Sequence, residues 1–363
     1  MNIHYYKRTL KELKDNKTFS FRDPENILGN LTSEMSEAFL NKPAGYNDKE
    51  VAQIIALDDN EVIGASMYFN NFLRLHGKIV PCQGGSYLYS REEYRKHNIG
   101  ADLFFMGCNL QKDVCFAGIS QMALPLYKAM RFTTFFFPRM IYLKHSRSVI
   151  HSLLKTESVL TYPLIMIADL GLALHRLSLT VYSKVKYNQY VVEETNDIPD
   201  DVERIILEDK HPFAEYHDRN WLEWSLKYSF KSHPMYKKKL FIIKKNGKIV
   251  GFFIAKYEFF EQASSRGFKN VYLGSVMEWG IDNEETLTEA DLYLLAIRTF
   301  PNEIDGIQVA TSNENTKRLL KRCLFIQVGE ANMSVKIRTL KDSRLKDINN
   351  WRIRIAASDT LMD

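Results

Sequence analysis

A basic segment from Ser90 to Ala101 (SREEYRKHNIGA) combines the residue types best suited to hold an anion. It follows an apolar run, Gly85 to Tyr89, and leads into residues whose apolar side chains recur with helical spacing. Asn98 and Gly100 can take a positive φ, which predicts a tight turn in front of a helix. Backbone amides at such a helix start point outward and attract anions, so a pyrophosphate is the expected ligand. Three basic side chains add positive charge there: Arg95, Lys96 and His97.

The same spacing also fits a solvated basic turn in front of an amphipathic helix, with no ligand. A second segment, Ile119 to Phe132 (ISQMALPLYKAMRF), bears on this choice. It reads as a helix with Ala123, Leu126 and Tyr127 on one side and an aromatic residue after its end. From spacing alone, a turn without a ligand is the preferred interpretation, and the choice then depends on what the two segments resemble.

The two segments resemble the GNAT superfamily of acyl-CoA-dependent N-acyltransferases. The turn of that family reads R/Q-x-x-G-x-G/A, and Arg95 to Gly100 follow it with Asn98 in place of the first glycine. Its later helix reads N-x-x-A-x-x-L-Y-x-x-x-G-F, in which Ser120 here replaces the asparagine and Arg131 the glycine. Four residues match that helix: Ala123, Leu126, Tyr127 and Phe132.

The resemblance implies a role for each of these residues. Pyrophosphate of coenzyme A would bind the turn amides, and pantetheine would pair with the backbone from Leu88 to Ser90. A backbone N–H near Leu88 would polarise the thioester carbonyl, and Tyr127 would protonate the departing thiolate. The implied catalytic residues are Tyr127 and Leu88. The implied acyl-CoA-binding residues are Leu88, Tyr89, Ser90, Arg95, Lys96, His97, Asn98, Ile99, Gly100, Ala101 and Ser120.

A general base is not evident in the sequence. The family often carries Glu or Asp on the strand before the turn, where this chain has Ser86 and Tyr87. Attack by an amine that is already neutral would remove the need for a base. Alternatively, Glu278 or Asp282 of the second half could supply one. The scattered histidines and the absence of H-E-x-x-H, G-x-S-x-G and G-x-x-x-x-G-K-[ST] argue against a metal, serine-hydrolase or nucleotide-triphosphate site.

Two hairpin patterns show how the chain positions these residues. Val51 to Phe69 reads as strand, turn at Asp58–Asn60 and strand, and Lys239 to Tyr257 repeats the pattern with a turn at Asn246–Gly247. A strand and helices follow each hairpin, ending at Phe132 and at Phe325. These patterns predict an α+β fold class with two domains of one ancestry. The resemblance implies that both domains are GNAT-like, each a mostly antiparallel mixed sheet flanked by helices.

The predicted boundaries are 1–148 for the acyl-CoA-binding domain, 149–194 for a helical linker and 195–363 for a second, degenerate domain with a C-terminal extension. Asn313 to Phe325 fits the late helix of the family, with Leu320 where the tyrosine belongs. The chain after Trp279 is acidic and lacks a glycine-bearing turn, so no anion site is expected there. Thr286 and Glu289 can form a capping box.

Composition predicts a soluble, cytoplasmic protein. The 363 residues carry a mild net charge of +5, four cysteines form no C-x-x-C pair, and the N-terminus has no signal-like apolar run. The apolar stretch Val159 to Leu174 is shorter than the ~20 residues of a membrane span, so a buried or interfacial helix is expected. Its continuation, His175 to Lys186, is basic and amphipathic, which keeps peripheral membrane contact as an alternative.

A lysine-rich run without acids lies in the second half, from Lys231 to Lys256. A solvated hairpin face is the preferred interpretation. An anionic substrate, an anionic membrane surface and RNA are the alternatives. Nucleic acid is not expected as a partner.

The function predicted from this sequence is transfer of an acetyl or other acyl group from coenzyme A to a primary amine or amino sugar. The acceptor would bind in the groove between the halves, because clefts at domain interfaces are favoured ligand sites. Two alternatives stay open: a non-catalytic GNAT-fold binding protein and a Fem-type transferase that uses aminoacyl-tRNA. The first is favoured by Asn98, Ser120 and the missing base, and the second by the lysine-rich run.

Overall fold

A computed structural model describes residues 1–15, 17, 19–43, 47–154, 158–230, 233–262 and 269–356. The first part of the chain forms β1 (Ile3–Thr9), α1 (Leu10–Lys14), α2 (Ser33–Leu40), β2 (Val51–Asp58), β3 (Glu61–Leu75), β4 (Lys78–Ser90), α3 (Ile99–Gly107), β5 (Asp113–Ala117), α4 (Leu124–Ala129) and β6 (Thr133–Leu143). Two helices follow, α5 (Arg147–Leu154) and α6 (Tyr162–Lys186).

The second part of the chain repeats the element order of the first, with short additions. Its elements are β7 (Tyr190–Thr195), α7 (Asp200–Leu207), β8 (Phe213–Glu215), α8 (Arg219–Lys227), β9 (Lys237–Lys245), β10 (Lys248–Gln262), β11 (Lys269–Ile281), α9 (Glu289–Ala296), β12 (Gly306–Ala310), α10 (Glu314–Arg322), β13 (Ile326–Lys336) and β14 (Trp351–Arg352). The α+β prediction is confirmed.

Both predicted hairpins form where their turn residues allow a left-handed backbone. Asp59 takes a φ of 52° between β2 and β3. Asn246 and Gly247 take 50° and 79° between β9 and β10, the pair of positive φ values that a two-residue type I′ turn requires. These turns fix the register of the two hairpins because they are specified by adjacent residues.

The described chain divides into two compact units. The first takes in Met1–Phe136, His211–Ser232 and Asn332–Asp363, and the second takes in Phe137–Lys210 and His233–Ala331. These units are defined by how the chain packs, whereas the predicted boundaries at residues 148 and 194 describe two domains of common ancestry. The predicted boundaries therefore stay a prediction.

The sheet of the first unit runs in the order β1, β2, β3, β4, β5. All neighbours are antiparallel except β4 and β5, which are parallel. The last neighbour of β5 is the end of β13, because Met333–Lys336 pair with residues 114–117. The first unit therefore completes its sheet with residues from the far end of the sequence.

The second unit has the same strand plan. Its order is β12, β11, β10, β9, β7, with β11 and β12 parallel and the other pairs antiparallel. The neighbour of β12 is the end of β6, at residues 139–143. Each unit thus takes one strand from the other half of the sequence.

Two helix starts differ from the sequence prediction. α4 begins at Leu124 rather than Ile119. Pro125 has no N–H to donate and is tolerated only in the first turn of a helix, so it fits this later start. The capping box of α9 uses Thr288 and Asp291 rather than Thr286 and Glu289.

Arg131 and Leu324, which follow α4 and α10, adopt left-handed backbone with φ of 59° and 58°. A residue with a Cβ is strained in this region. Leu324→Gly should therefore raise the free energy of unfolding by about 0.5–1 kcal/mol, the relieved strain less the entropy that glycine loses. Chemical denaturation measures the change. Leu324→Ala keeps the Cβ and should give no gain; an equal gain would show that strain is not the cause.

Candidate active site

Strands β4 and β5 open away from each other in the first unit. They pair only at Cys82 with Asp113 and Gln83 with Val114, although β4 continues to Ser90. Beyond these pairs, the edge of β4 that faces β5 has no strand partner among the described residues. An extended ligand chain can hydrogen-bond to such an exposed strand edge.

A β-bulge marks the open part of β4. Leu88 pairs with Ser66 and Ser86 pairs with Met67, which leaves Tyr87 as the extra residue, with a φ of 50°. A bulge re-aims the residues around it and increases the local twist. The predicted pantetheine contacts, Leu88 to Ser90, therefore come directly after a bend in the strand. Leu88 itself is 42% exposed.

Two glycines allow the close packing around this opening. A Cβ on Gly85 would lie 2.7 Å from the ring of Phe116 in β5, so the strands approach closely at the base of the opening. A Cβ on Gly64 in β3 would lie 2.8 Å from the Tyr89 carbonyl oxygen and 3.2 Å from Ile99. Gly64 therefore lets the start of α3 pack against the sheet.

The N-terminus of α3 carries backbone amides without partners. Residues Glu92–His97 form a 3₁₀ turn, and Asn98 follows with φ 61° and ψ 20°. The first backbone bond of the helix runs from the Asp102 N–H to the Asn98 oxygen (3.0 Å), and no side chain caps the helix. The amides of residues 99–101 therefore point outward, as an anion site requires.

The left-handed residue of this turn is Asn98 alone. Gly100 was expected to share that geometry but lies in the first turn of α3 with ordinary helical backbone. A Cβ on Gly100 would meet only the Ser90 Oγ, at 3.6 Å, an ordinary contact. The space beside the amides is thus open, and Gly100 keeps it so.

The predicted basic residues Arg95, Lys96 and His97 are exposed beside these amides. The turn is anchored by its neighbours, since Arg91 forms ion pairs with Glu61 and Glu25. A second anchor is the hydroxyl of Tyr94, which donates to Asp58 (3.1 Å). Arg91 and Tyr94 thus fix the turn through these contacts, while the three basic side chains remain exposed.

Tyr127 lies on α4 with its ring buried among aromatic side chains. Its ring centroid is 4.5 Å from that of Phe104 on α3 and 5.9 Å from that of Phe116 on β5. Its hydroxyl makes no hydrogen bond to any described residue. Burial raises the pKa of Tyr127 above its usual value, so the phenol carries its proton at neutral pH and cannot act as a base. The same shift makes it a weaker acid than a free tyrosine, so it can protonate only a strongly basic leaving group.

Of the remaining predicted residues, Tyr89 and Ser90 lie at the opening of β4, whereas Ser120 stabilises a local turn. Tyr89 donates its hydroxyl to Glu25 (2.8 Å), and Ser90 pairs with Gly64. Ser120 accepts the Ala123 N–H (3.3 Å) in the turn before α4, which gives it a local structural role. The sequence pattern did not reveal the bulge at Tyr87, because a bulge depends on pairing with a distant strand.

In the second unit, the N-terminus of the equivalent helix, α9, is capped by side chains. Thr288 accepts the Asp291 N–H, and the Asp291 carboxylate returns to the Thr288 N–H. That carboxylate also accepts the hydroxyl of Tyr187 (2.6 Å) and the ammonium of Lys186 (2.8 Å). An internal cap with a negative charge leaves little affinity for an anion.

The two acids considered as bases are engaged within the second unit. Glu278 is 1% exposed and occupies the same place beside a bulge, at Met277, as Leu88 does in the first unit. Asp282 accepts a charged hydrogen bond from Arg204 (2.5 Å). These contacts favour structural roles for both carboxylates.

The lysine-rich run lies on a hairpin, but the predicted solvated face describes only part of it, because three of its lysines form ion pairs and one of these, Lys256, is buried. Lys239 and Lys244 of β9 pair with Glu194 and Glu193 of β7, and Lys256 pairs with Glu258 (2.9 Å). Lys231 lies outside the described residues.

Solved structures share this fold over most of the chain. A GCN5-related N-acetyltransferase from Anabaena variabilis aligns with a TM-score of 0.54 and 10% identity, over 93% of this chain and 73% of that one. Saccharomyces cerevisiae N-myristoyltransferase with bound myristoyl-CoA aligns with a TM-score of 0.56 and 12% identity, over 93% and 79%. No protein-family model and no curated protein matches the sequence. The chain has the fold of the GNAT superfamily of N-acyltransferases.

Proposed function

We propose that this protein is an N-acyltransferase that moves an acyl group from coenzyme A to a primary amine. One contrast carries the proposal: the uncapped start of α3 lies at the end of an opened strand, whereas its counterpart α9 is capped by its own side chains. The site in the first unit thus has both a place for a pyrophosphate and a strand edge for an extended chain. The aligned N-myristoyltransferase structure holds myristoyl-CoA, which supports an acyl-CoA co-substrate.

Each part of the site has a task in this reaction. The amides of residues 99–101, with Arg95 and Lys96, hold the pyrophosphate by charge-assisted hydrogen bonds. The backbone N–H near Leu88 stabilises the oxygen of the attacked carbonyl. The amine nitrogen forms a bond to the carbonyl carbon, the C–S bond breaks, and Tyr127 gives its proton to the leaving thiolate. The proton lost by the amine restores the phenol, so the products are an amide and a free thiol.

The open stretch of β4 from Gly84 to Ser90 contains no carboxylate, so the proposed acceptor attacks as the free base. With a lysine-like amine, kcat/KM should then rise about tenfold per pH unit below the amine pKa of ~10. Burial raises the pKa of Tyr127, and the donor therefore remains protonated over the same range. We expect no descending limb between neutral pH and the amine pKa. A plateau starting near pH 7 would indicate a protein base instead.

Calorimetric titration with acetyl-CoA and with myristoyl-CoA tests the co-substrate. Micromolar affinity for either one is the expected result. Release of free thiol in the presence of a polyamine, an amino sugar or a lysine peptide tests turnover. Binding without turnover with any of the three would favour the non-catalytic alternative, and the absence of binding by both thioesters would refute the proposal.

A further inference from the structure

Helix α6 presents its apolar side chains to the outside of the second unit. The segment Val159–Lys186 is long and apolar enough to cross a membrane by length and composition, and only 6% of its most apolar window is buried. The sequence predicted a buried or an interfacial helix, and the exposure excludes the buried form. The exposed apolar residues recur every three or four positions: Ile167, Leu170, Leu174, Leu177, Val181 and Val185.

The face of α6 that packs on its own unit is mixed, with Ile165 and Leu179 beside several polar side chains. Asp169 accepts the Ser146 N–H (2.6 Å), and the His175 ring bonds the Cys323 oxygen (3.2 Å). Ser183 is buried and accepts from Arg298 (3.4 Å). A helix on a water-exposed surface normally has the opposite arrangement, with its apolar stripe inward. Transfer of these outward apolar side chains from water to an apolar environment would therefore be favourable.

The charges on α6 fit an anionic surface. The helix carries one acid, Asp169, and that carboxylate is turned inward. Three permanently basic residues lie in its C-terminal half, Arg176, Lys184 and Lys186, and Lys186 is ion-paired with Asp291. Tyr162 and Tyr182, near the two ends, are about half exposed. Tyrosine and lysine at the ends of an apolar stripe are typical of the interface between lipid headgroups and acyl chains.

A basic cavity of about 220 Å³ lies under the C-terminal half of α6. Three cationic side chains line it: Lys144, Arg176 and Arg298. The hydroxyl of Tyr142 and the Arg176 Nη1 are buried there without a hydrogen-bond partner among the described residues. A phosphate group there could accept hydrogen bonds from these unsatisfied donors and interact favourably with the cationic side chains.

We propose that α6 docks this protein on an anionic lipid bilayer, with a headgroup phosphate held in the basic cavity. The helix lies along the surface rather than across it. Its 25 residues span ~37 Å, long enough to cross, but the bonds from Asp169, His175 and Ser183 hold one side of it against protein. Only the outer face is left for lipid, as in an interfacial helix. This proposal does not depend on the acyltransferase activity.

Flotation with vesicles of phosphatidylcholine, alone or with an equal amount of phosphatidylglycerol, tests the docking. The full chain should float with the anionic vesicles. Leu170→Gln, Leu174→Gln and Leu177→Gln combined should lower the partition coefficient about 100-fold, because three apolar side chains no longer enter the bilayer. A matched control, Val191→Gln, Leu207→Gln and Ile79→Gln, removes exposed apolar residues outside α6 and should float like the wild type.

Two results would overturn the docking. One is a wild type that stays in solution with both vesicles, above all if light scattering shows a dimer that the α6 variant lacks, because a second copy would then cover the stripe. The other is an α6 variant that floats as well as the wild type.

Arg298→Gln tests the cavity. It should reduce the preference for phosphatidylglycerol over phosphatidylcholine about tenfold, while retaining some flotation through the apolar face. Titration with inorganic phosphate distinguishes the two sources of the anion. Phosphate binding that Arg298→Gln abolishes, together with an unchanged lipid preference, would assign the cavity to a soluble anion and refute the headgroup.

Discussion

Replacing Tyr127 by phenylalanine should lower kcat about 10²–10⁴-fold, the usual contribution of a positioned proton donor. The thiolate would then have to leave without a proton from the protein. The ring itself stays, so its packing on Phe104 and Phe132 is kept, and the affinity for acetyl-CoA should change less than about twofold. Thiol release under saturating acetyl-CoA measures kcat, and calorimetry measures the affinity.

Tyr68→Phe is the matched control for this substitution. Tyr68 belongs to the same cluster of buried residues but donates its hydroxyl to the Leu103 oxygen (2.8 Å), so its role is structural. Its loss should lower stability by about 1 kcal/mol and leave kcat near the wild-type value. Equal losses of kcat in both variants would mean that the cluster is being disturbed. An unchanged kcat in Tyr127→Phe would remove Tyr127 from the chemistry.

Gly100→Glu should weaken acetyl-CoA binding about 100-fold, which is the loss of roughly one to two charged hydrogen bonds. The new carboxylate would lie at the α3 amides and repel or displace the pyrophosphate. The fold should tolerate the change, because a Cβ at this position meets only the Ser90 Oγ at 3.6 Å. Calorimetric titration gives the affinity, and circular dichroism checks the fold.

Gly100→Ala and Lys112→Gln separate charge at the amides from other effects. Gly100→Ala adds the same Cβ without the carboxylate and should bind within about threefold of the wild type. Lys112→Gln makes the same change in net charge at an exposed residue beyond the other end of α3 and should bind normally. Equal weakening in all three variants would show that the amides of residues 99–101 do not hold the pyrophosphate.

Local sequence was enough to predict the hairpins and the left-handed turn before α3. Asn246 and Gly247 specify their turn by themselves, and both take a positive φ. Asn98 likewise supplies the left-handed residue before α3. Gly100 was misassigned because a glycine in a turn pattern permits a positive φ without requiring it. What Gly100 contributes is open space beside the α3 amides. That space depends on which residues surround the site in the folded chain, so it could not be read from the sequence.

Features that depend on distant residues could not be read from the sequence. The bulge at Tyr87 arises from the register between β3 and β4, and the opening depends on how few pairs β4 makes with β5. The orientation of α6 could not be predicted either, because its apolar pattern fits both a buried and an outward face. The contacts of Asp169 and Ser183 decide between them.

The exchange of strands has a consequence for how the protein is made. Asn332, at the end of β13, bonds the backbone of Ile119 from 213 positions away, and Met333–Lys336 close the edge of β5. A ribosome synthesises the 213 positions between these two residues before Asn332 emerges. Until then β5 presents an unpaired edge, which invites pairing with other chains. Loop closure over such a distance is also slow. Folding of the first unit should therefore be completed only after β13 has been synthesised, and a stop codon before Asn332 should yield an aggregating fragment rather than a shorter folded protein.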